Sequence, residues 1–407
     1  MSDFLFYCRS GYEADLLAEL DDAFLSKGQY GYAKFAKNSG FIVYHVPSST
    51  EQNAKTLSKL LNPDKSPSLR SLIFARQKLF MIDELEFDSV DDRISPILAA
   101  IETSDLLPKC HFSDVLVEYP DTDHGKEMAK FCKKFTVPLR AALRKQGLLH
   151  KQSQDTVSTL SDSKVAGIPK ASRLFLHVFF EKGNSCKISI SIEGDRSPHP
   201  QGILRLKFPS DAPSRSTLKL EEAIHYFCNA RQQGVLFQNG MTAVDLGACP
   251  GGWTYQLVKR GMRVEAIDNG AMDSRLMESG LVDYYAADGF SYQPKEGHVD
   301  WLVCDMIEKP DRVAALIMQW LKKGKCSAAL FNLKLPMKRR YQTLAPIIEQ
   351  FFALDNDSQQ AQPKARTLGE FSAKVGLYIS AKHLYHNRDE VTFFILKNSQ
   401  MCAEMLT

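Results

Sequence analysis

The spacing of apolar and polar positions divides the chain into two kinds of pattern. In the first half, Phe4-Leu5-Phe6-Tyr7 predicts a strand and Glu13 to Phe24 an amphipathic helix after a turn at Gly11. Phe41-Ile42-Val43-Tyr44-His45-Val46 then predicts a strand, and Glu51 to Leu61 a helix stopped by Asn62-Pro63. Ser71 to Glu84 adds an apolar stretch and Pro96 to Glu102 another helix. From about residue 110 the pattern restarts. Asp114 to Glu118 predicts a strand, and Gly125 to Lys145 a helix kinked at Pro138, with Met128, Phe131, Phe135, Leu139 and Leu143 on its apolar side. After a polar loop at Gln152 to Ser163, Leu174 to Phe180 and Cys186 to Ile192 predict an antiparallel pair. Two small α+β units account for this half.

The second half alternates regularly. Strands at 242–246, 263–268, 299–304, 326–332 and 391–396 are separated by helices near 217–231, 252–260, 310–322 and 340–352, which predicts an α/β domain with a mostly parallel, doubly wound sheet. A linker with Arg205, Lys207 and Pro209 in extended chain precedes it, and Asp355 to Arg366 predicts a loop.

Composition narrows the class. With 407 residues, 44% of them apolar and 24% charged, the chain is long enough for two or three globular domains. No apolar run approaches the roughly 20 residues of a membrane span, and Asp3, Arg9, Glu13 and Asp15 break any signal-peptide pattern, so no membrane and a cytoplasmic location are expected. The nine cysteines form no C-x-x-C pair and no zinc spacing, which predicts reduced thiols and no metal. A net charge of +3 announces no nucleic acid by itself, but the bases cluster in three zones. These are Lys133, Lys134, Arg140 and Arg144 on the 125–145 helix, Arg205, Lys207 and Arg215 along the linker, and Lys338, Arg339 and Arg340 followed by Tyr341.

The most informative turn is Asp245-Leu246-Gly247-Ala248-Cys249-Pro250-Gly251-Gly252-Trp253, where a strand ends in a carboxylate and close-set glycines before a helix. A pyrophosphate site wants bare backbone N–H groups and no adjacent anion. Asp245 therefore disfavours a nicotinamide-dependent oxidoreductase and suits a cationic, phosphate-free ligand such as S-adenosylmethionine. In a doubly wound sheet, ligands bind at the carboxyl ends of the strands. Asp268, Asp288 and Asp305 each end a strand there. Asp268 suits a ribose diol, Asp288 an adenine amine, and Asp305 the floor beside the transferring methyl.

These residues, with Ser214-Arg215-Ser216-Thr217-Leu218-Lys219, resemble the FtsJ-like ribose 2′-O-methyltransferases. Leu206-Lys207-Phe208-Pro209, Cys304-Asp305-Met306 and Phe331-Asn332-Leu333-Lys334-Leu335-Pro336-Met337-Lys338 are similar to a branch that methylates a cytidine ribose of 23S ribosomal RNA, and the likeness extends to Phe74-Ala75-Arg76-Gln77 and Lys134-Phe135-Thr136-Val137-Pro138. The resemblance implies a ferredoxin-like domain over 1–85, a THUMP RNA-binding domain over 86–198, a linker over 199–213 and a class I (Rossmann-like) methyltransferase domain over 214–407. A monomer is expected. The resemblance implies S-adenosyl-L-methionine as cofactor, held by Ser216, Asp245, Gly247, Cys249, Pro250, Gly251, Gly252, Trp253, Asp268, Asp288 and Asp305. It also implies a catalytic Lys-Asp-Lys-Glu set, which falls on Lys219, Asp305, Lys334 and Glu390.

A ribose hydroxyl ionises far above neutral pH. Lys334 could take its proton if neutral, or orient the hydroxyl and stabilise oxyanion charge if cationic, and the sequence leaves both open. An inert RNA-binding relative would be expected to have lost Lys219, Asp305 or Lys334, and all three are present. Enzymes methylating a base or amine commonly carry an Asn/Asp-Pro-Pro-aromatic loop where this chain has Cys304-Asp305-Met306-Ile307.

Overall fold

The computed structural model describes residues 2–47, 65–104, 107, 111–149, 173–355, 367–369, 371–372 and 376–406. The helix expected at 51–61, the loop at 152–163 and nearly all of the loop at 355–366 lie outside them. The chain forms two compact units, Met1–Ile203 and Leu204–Thr407.

In the first unit, strands β1 (Ser2–Tyr7), β2 (Tyr32–Lys34), β3 (Phe41–Val46), β4 (Gln77–Glu86), β5 (Asp114–Glu118), β6 (Leu174–Lys182) and β7 (Ser185–Ile192) share one seven-stranded sheet in the order β2-β3-β1-β4-β7-β6-β5. Every pairing is antiparallel except β5 with β6. The restart seen near residue 110 is thus no break in the sheet. β4 pairs with β1 on one side and β7 on the other, joining the two α+β patterns, and it runs one residue past the boundary expected at 85.

Helices α1 (Glu13–Leu25), α2 (Ile94–Glu102) and α3 (Ala129–Lys145) accompany this sheet. A single 3-10 turn, Gly125–Met128, precedes α3, so the α-helix begins four residues later than expected, and Pro138 lies inside it. Cys132, Leu139 and Leu143 are its buried positions, while Phe131 and Phe135 are only half-buried and stack on each other. Behind the apolar core lies a buried polar knot. The Glu118 carboxylate accepts from Tyr7 Oη at 3.0 Å and from the Gln201 backbone N–H at 2.6 Å, and pairs with His177 Nδ1 at 2.8 Å. Burial opposes its charge, but these partners win and hold its carboxyl below the usual range.

In the second unit, helices α4 (Thr217–Phe227), α5 (Ala230–Leu236), α6 (Gly252–Val258), α7 (Ser274–Glu278), α8 (Pro310–Lys322), α9 (Arg340–Phe352) and α10 (Ser399–Ala403) alternate with β8 (Thr242–Leu246), β9 (Arg263–Asp268), β10 (Val282–Ala286), β11 (Val299–Cys304), β12 (Cys326–Lys334), β13 (Phe371–Ser372), β14 (Leu377–Lys382) and β15 (Glu390–Leu396). The sheet order is β10-β9-β8-β11-β12-β15-β14-β13, parallel from β10 to β12 and antiparallel at each later pairing. β13 and β14 had not been read from the sequence. β8, β11 and β12 are almost wholly buried, so their sequences are near-continuous apolar runs. Trp301 fills the core against Phe237 at 4.4 Å between ring centres, and its indole N–H donates to the Leu236 carbonyl at 2.7 Å. Among the described residues no helix is long and apolar enough to cross a membrane.

Candidate active site

Parallel strands with helices on their return paths leave a crevice at the carboxyl edge of the sheet. A cleft of about 580 Å³ lies there, lined by the turn after β8 (Gly247 to Pro250), the ends of β9 and β10 (Asp268 and Asp288) and the ends of β11 and β12 (Asp305 and Lys334). Ser216 and Lys219, at and just beyond the N-terminus of α4, close it.

Local packing explains the glycines. Gly247 has φ +80°, and a Cβ there would lie 2.9 Å from Met306 Cγ, in the loop that follows Asp305. Gly251 has φ +114°, and a Cβ would lie 2.3 Å from Leu276 of α7. Gly252 makes room for Ser216, whose Oγ would be 2.0 Å from an added Cβ. Gly247, Ala248, Cys249 and Pro250 of the motif join Trp253 in the cleft wall, whereas Gly251 and Gly252 serve close packing behind it.

The acids differ in their duties. Asp268 ties the first two strand ends together, accepting from the Cys249 N–H at 3.0 Å and from Asn269 and Gly270 N–H at 2.6 and 3.0 Å. A carboxylate offers about four acceptor sites, so room remains for a ligand hydroxyl. Asp288 is exposed, and its carboxylate accepts from the Phe290 N–H at 3.0 Å. Asp245, expected to present a full negative charge, is instead 1% exposed beneath the turn. One oxygen accepts from Thr254 Oγ1 at 2.7 Å, and burial pushes its carboxyl up to about 7. Sequence position showed the carboxylate beside the turn but not the loss of water around it. The Cys249 thiol is held up at about 11 by burial and by Asp268, which keeps it protonated.

Asp305 is the centre of an ion cluster. Its Oδ1 accepts from Lys334 Nζ and, at 2.9 Å, from Asn332 Nδ2; its Oδ2 accepts from Lys219 Nζ at 3.2 Å. Lys219 also meets Glu390 Oε1 at 2.5 Å, and Lys334 Nζ lies 3.6 Å from Glu390 Oε2. The β12–β15 register creates this arrangement, since Lys334 stands directly opposite Glu390. Burial alone would lower the Lys219 pKa, but Asp305 and Glu390 outweigh it and hold the value above normal, so Lys219 remains cationic. Lys219, Asp305, Lys334 and Glu390, expected from separate parts of the chain, are therefore in mutual contact.

Two site residues escaped sequence reading. Glu222, one turn after Lys219 on α4 and 4% exposed, accepts from the Tyr385 and His386 backbone N–H groups, both at 2.8 Å, and so anchors the turn that leads into Glu390. Its spacing of three from Lys219 was the available signal. Asn332 precedes Lys334 by two positions on the same face of β12, a period that could have found it.

Of the basic residues, Lys133, Lys134, Arg144, Arg205, Lys207, Arg215, Lys338 and Arg339 are exposed. Arg140 and Arg340 differ: Asp114 holds the first at 2.6 Å and Asp389 the second at 3.3 Å, because each emerges beside a strand end carrying a carboxylate. Arg215 lies over the Phe208 ring at 5.8 Å and Arg205 over Tyr385 at 5.5 Å.

The lining suits S-adenosylmethionine on its own chemistry. Asp268, Asp288, Asp305 and Glu308 outnumber Lys219 and Lys334 there, a balance that repels phosphate and favours a cation. Asp245 Oδ1 and Trp253 Nε1 are buried with no partner among the described residues. The volume is that of a site for a ligand of this size. A five-stranded parallel core with antiparallel β15 beside it, carrying this cleft, defines a class I methyltransferase using S-adenosylmethionine.

Comparison with known proteins places it more closely. The FtsJ-like methyltransferase family matches residues 212–333, the RlmM ferredoxin-like domain residues 1–79, and the N-terminal region of ribosomal RNA large subunit methyltransferase M residues 92–161. Ribosomal RNA large subunit methyltransferase M of Histophilus somni (strain 129Pt) is 43% identical over 97% of this chain and 99% of its own length. The protein of the same name from Alteromonas mediterranea is 46% identical over 98% of this chain and 99% of its own. The chain belongs to this family of ribosomal RNA methyltransferases.

Proposed function

We propose that the protein transfers a methyl group to the 2′-hydroxyl of a cytidine ribose in 23S ribosomal RNA, as a monomer in the cytoplasm, with Lys219, Asp305, Lys334 and Glu390 as its catalytic set. The observation that carries this reading is the Asp305 carboxylate gripped by two ammonium groups, with Lys334 at the open edge of the cleft. Bound S-adenosylmethionine supplies an electrophilic methyl on a sulfonium leaving group. Asp268 and Asp288 hold hydroxyl and amine donors, and Trp253 and Met306 wall the cleft. Lys334 Nζ takes the proton of the 2′-hydroxyl or steadies the developing oxyanion, while Lys219 holds Asp305 in place.

Exposed Lys338 and Arg339 follow Lys334 and suit phosphates of the approaching strand. Ile307 and Met337, 92% and 84% exposed, flank the same strand ends and suit the faces of an unstacked base. The first unit, with Lys133, Lys134 and Arg144 on α3, holds RNA at a second place. On this reading 1–85 acts as the ferredoxin-like domain, 86–198 as THUMP, 199–213 as linker and 214–407 as the catalytic domain.

The test is to incubate the enzyme and labelled S-adenosylmethionine with ribosomal RNA from cells lacking it, and to digest the product with alkali. Label in an alkali-resistant dinucleotide is expected; label on a base overturns the reaction class. Lys334→Ala is expected to abolish transfer with S-adenosylmethionine affinity nearly unchanged, and wild-type turnover in that variant removes Lys334 from the site.

A further inference from the structure

The Asp305 Oδ1 oxygen is shared between the Lys334 ammonium and the Asn332 side chain. A carboxylate only accepts, so the Asn332 amide must turn its nitrogen toward Asp305 and its oxygen away. That oxygen accepts from the Thr392 hydroxyl at 2.7 Å, and Thr392 Oγ1 accepts from Asn387 Nδ2 at 2.9 Å. All the donors in this file therefore point toward Asp305. Asn332 and Thr392 are 0% exposed and Asn387 1%, with Phe331, Leu333, Val391 and Phe393 as buried neighbours along the two strands. Polar side chains kept in such a place cost free energy unless each is satisfied, and here the direction of every bond is set by the next.

We propose that Asn332 is a positioning residue for Asp305. Its amide, oriented by Thr392 and Asn387, holds the carboxylate between Lys219 and Lys334 and occupies part of Oδ1 that the Lys334 ammonium would otherwise have alone. The inference rests on the reading that Lys334 takes the proton of the acceptor hydroxyl. Lys334 is faced by Asp305 from β11 and Glu390 from β15; Asp305 is faced in addition by Lys219 from α4, with Asp245 of β8 and the Cys304 thiol within electrostatic range. An amide donor on Oδ1 weakens the hold of Asp305 on the Lys334 proton. Without it, Lys334 should give up that proton only at higher pH.

The experiment is a single-turnover pH profile of ribose transfer by the full-length wild type, Asn332→Leu and Thr392→Val, with S-adenosylmethionine affinity and thermal midpoint measured in parallel. Asn332→Leu is expected to shift the rising limb upward by about one pH unit, and Thr392→Val by a smaller amount in the same direction. Thr392→Val keeps the side-chain shape and reports even where Asn332→Leu does not fold. Rising limbs that stay at the wild-type pH, whatever the thermal midpoints, overturn the inference and leave Asn332 a purely structural residue. Absence of alkali-resistant product from the wild type overturns the ribose reading and this inference with it, whereas ribose product with unshifted limbs overturns the inference alone.

Discussion

Asp245 makes the pH dependence of folding calculable. Its carboxyl rises from the ordinary 3.8 to about 7 because it is buried, with Asp305 adding repulsion against the relief that Thr254 provides. The native state therefore binds the proton more tightly than the unfolded chain does. Stability from this group is fully present below about 3.8 and is lost as pH rises to about 7. At 1.36 kcal/mol per unit, the linkage integral between pH 5 and pH 8 comes to about 2–3 kcal/mol. Asp245→Asn removes the titration while leaving an oxygen to accept from Thr254 Oγ1. All three tryptophans, Trp253, Trp301 and Trp320, lie in the second unit, so their fluorescence reports its unfolding. Urea unfolding of the ligand-free protein at pH 5 and pH 8 should show the wild type losing about 2–3 kcal/mol more than Asp245→Asn across that interval. Equal losses in the two proteins would refute the reasoning.

Three further outcomes are expected. Asp268→Ala, which frees three backbone N–H groups of the first turns, should weaken S-adenosylmethionine binding roughly 10- to 100-fold by calorimetric titration, and an unchanged affinity would remove it from the donor site. Lys338→Glu with Arg339→Glu should weaken RNA binding and flatten its dependence on salt by about two counterions, measured by filter binding across a salt series. Glu222→Ala should lower stability by roughly 2–4 kcal/mol in urea unfolding, because it strands the Tyr385 and His386 N–H groups.

Much of the second unit was legible locally. β8, β9 and β11 end where apolar runs give way to acids, and α8 and α9 begin and end where their periodicities do, because those limits are set by neighbours in sequence. β14 escaped although all six of its residues are buried, since Leu377-Tyr378-Ile379-Ser380-Ala381-Lys382 mixes polar with apolar side chains; β13 has only two residues to show a pattern. In the first unit, the two α+β patterns were visible but their union through β4 was not, because pairing across an interval of about a hundred residues leaves no periodic trace.

The sequence by itself determined the strand–turn–helix at Asp245 to Trp253 and the acids at successive strand ends, since each depends on residue type and short spacing; the four residues proposed for catalysis followed from the family resemblance. Tertiary structure alone decided that Lys334 faces Glu390 across β12 and β15, that Asn332 feeds Asp305, that Asp114 and Asp389 occupy Arg140 and Arg340, and that Asp245 lies too deep to hold a full charge at neutral pH. Register and burial are properties of segments distant in the chain, so they arise only when the sheet closes.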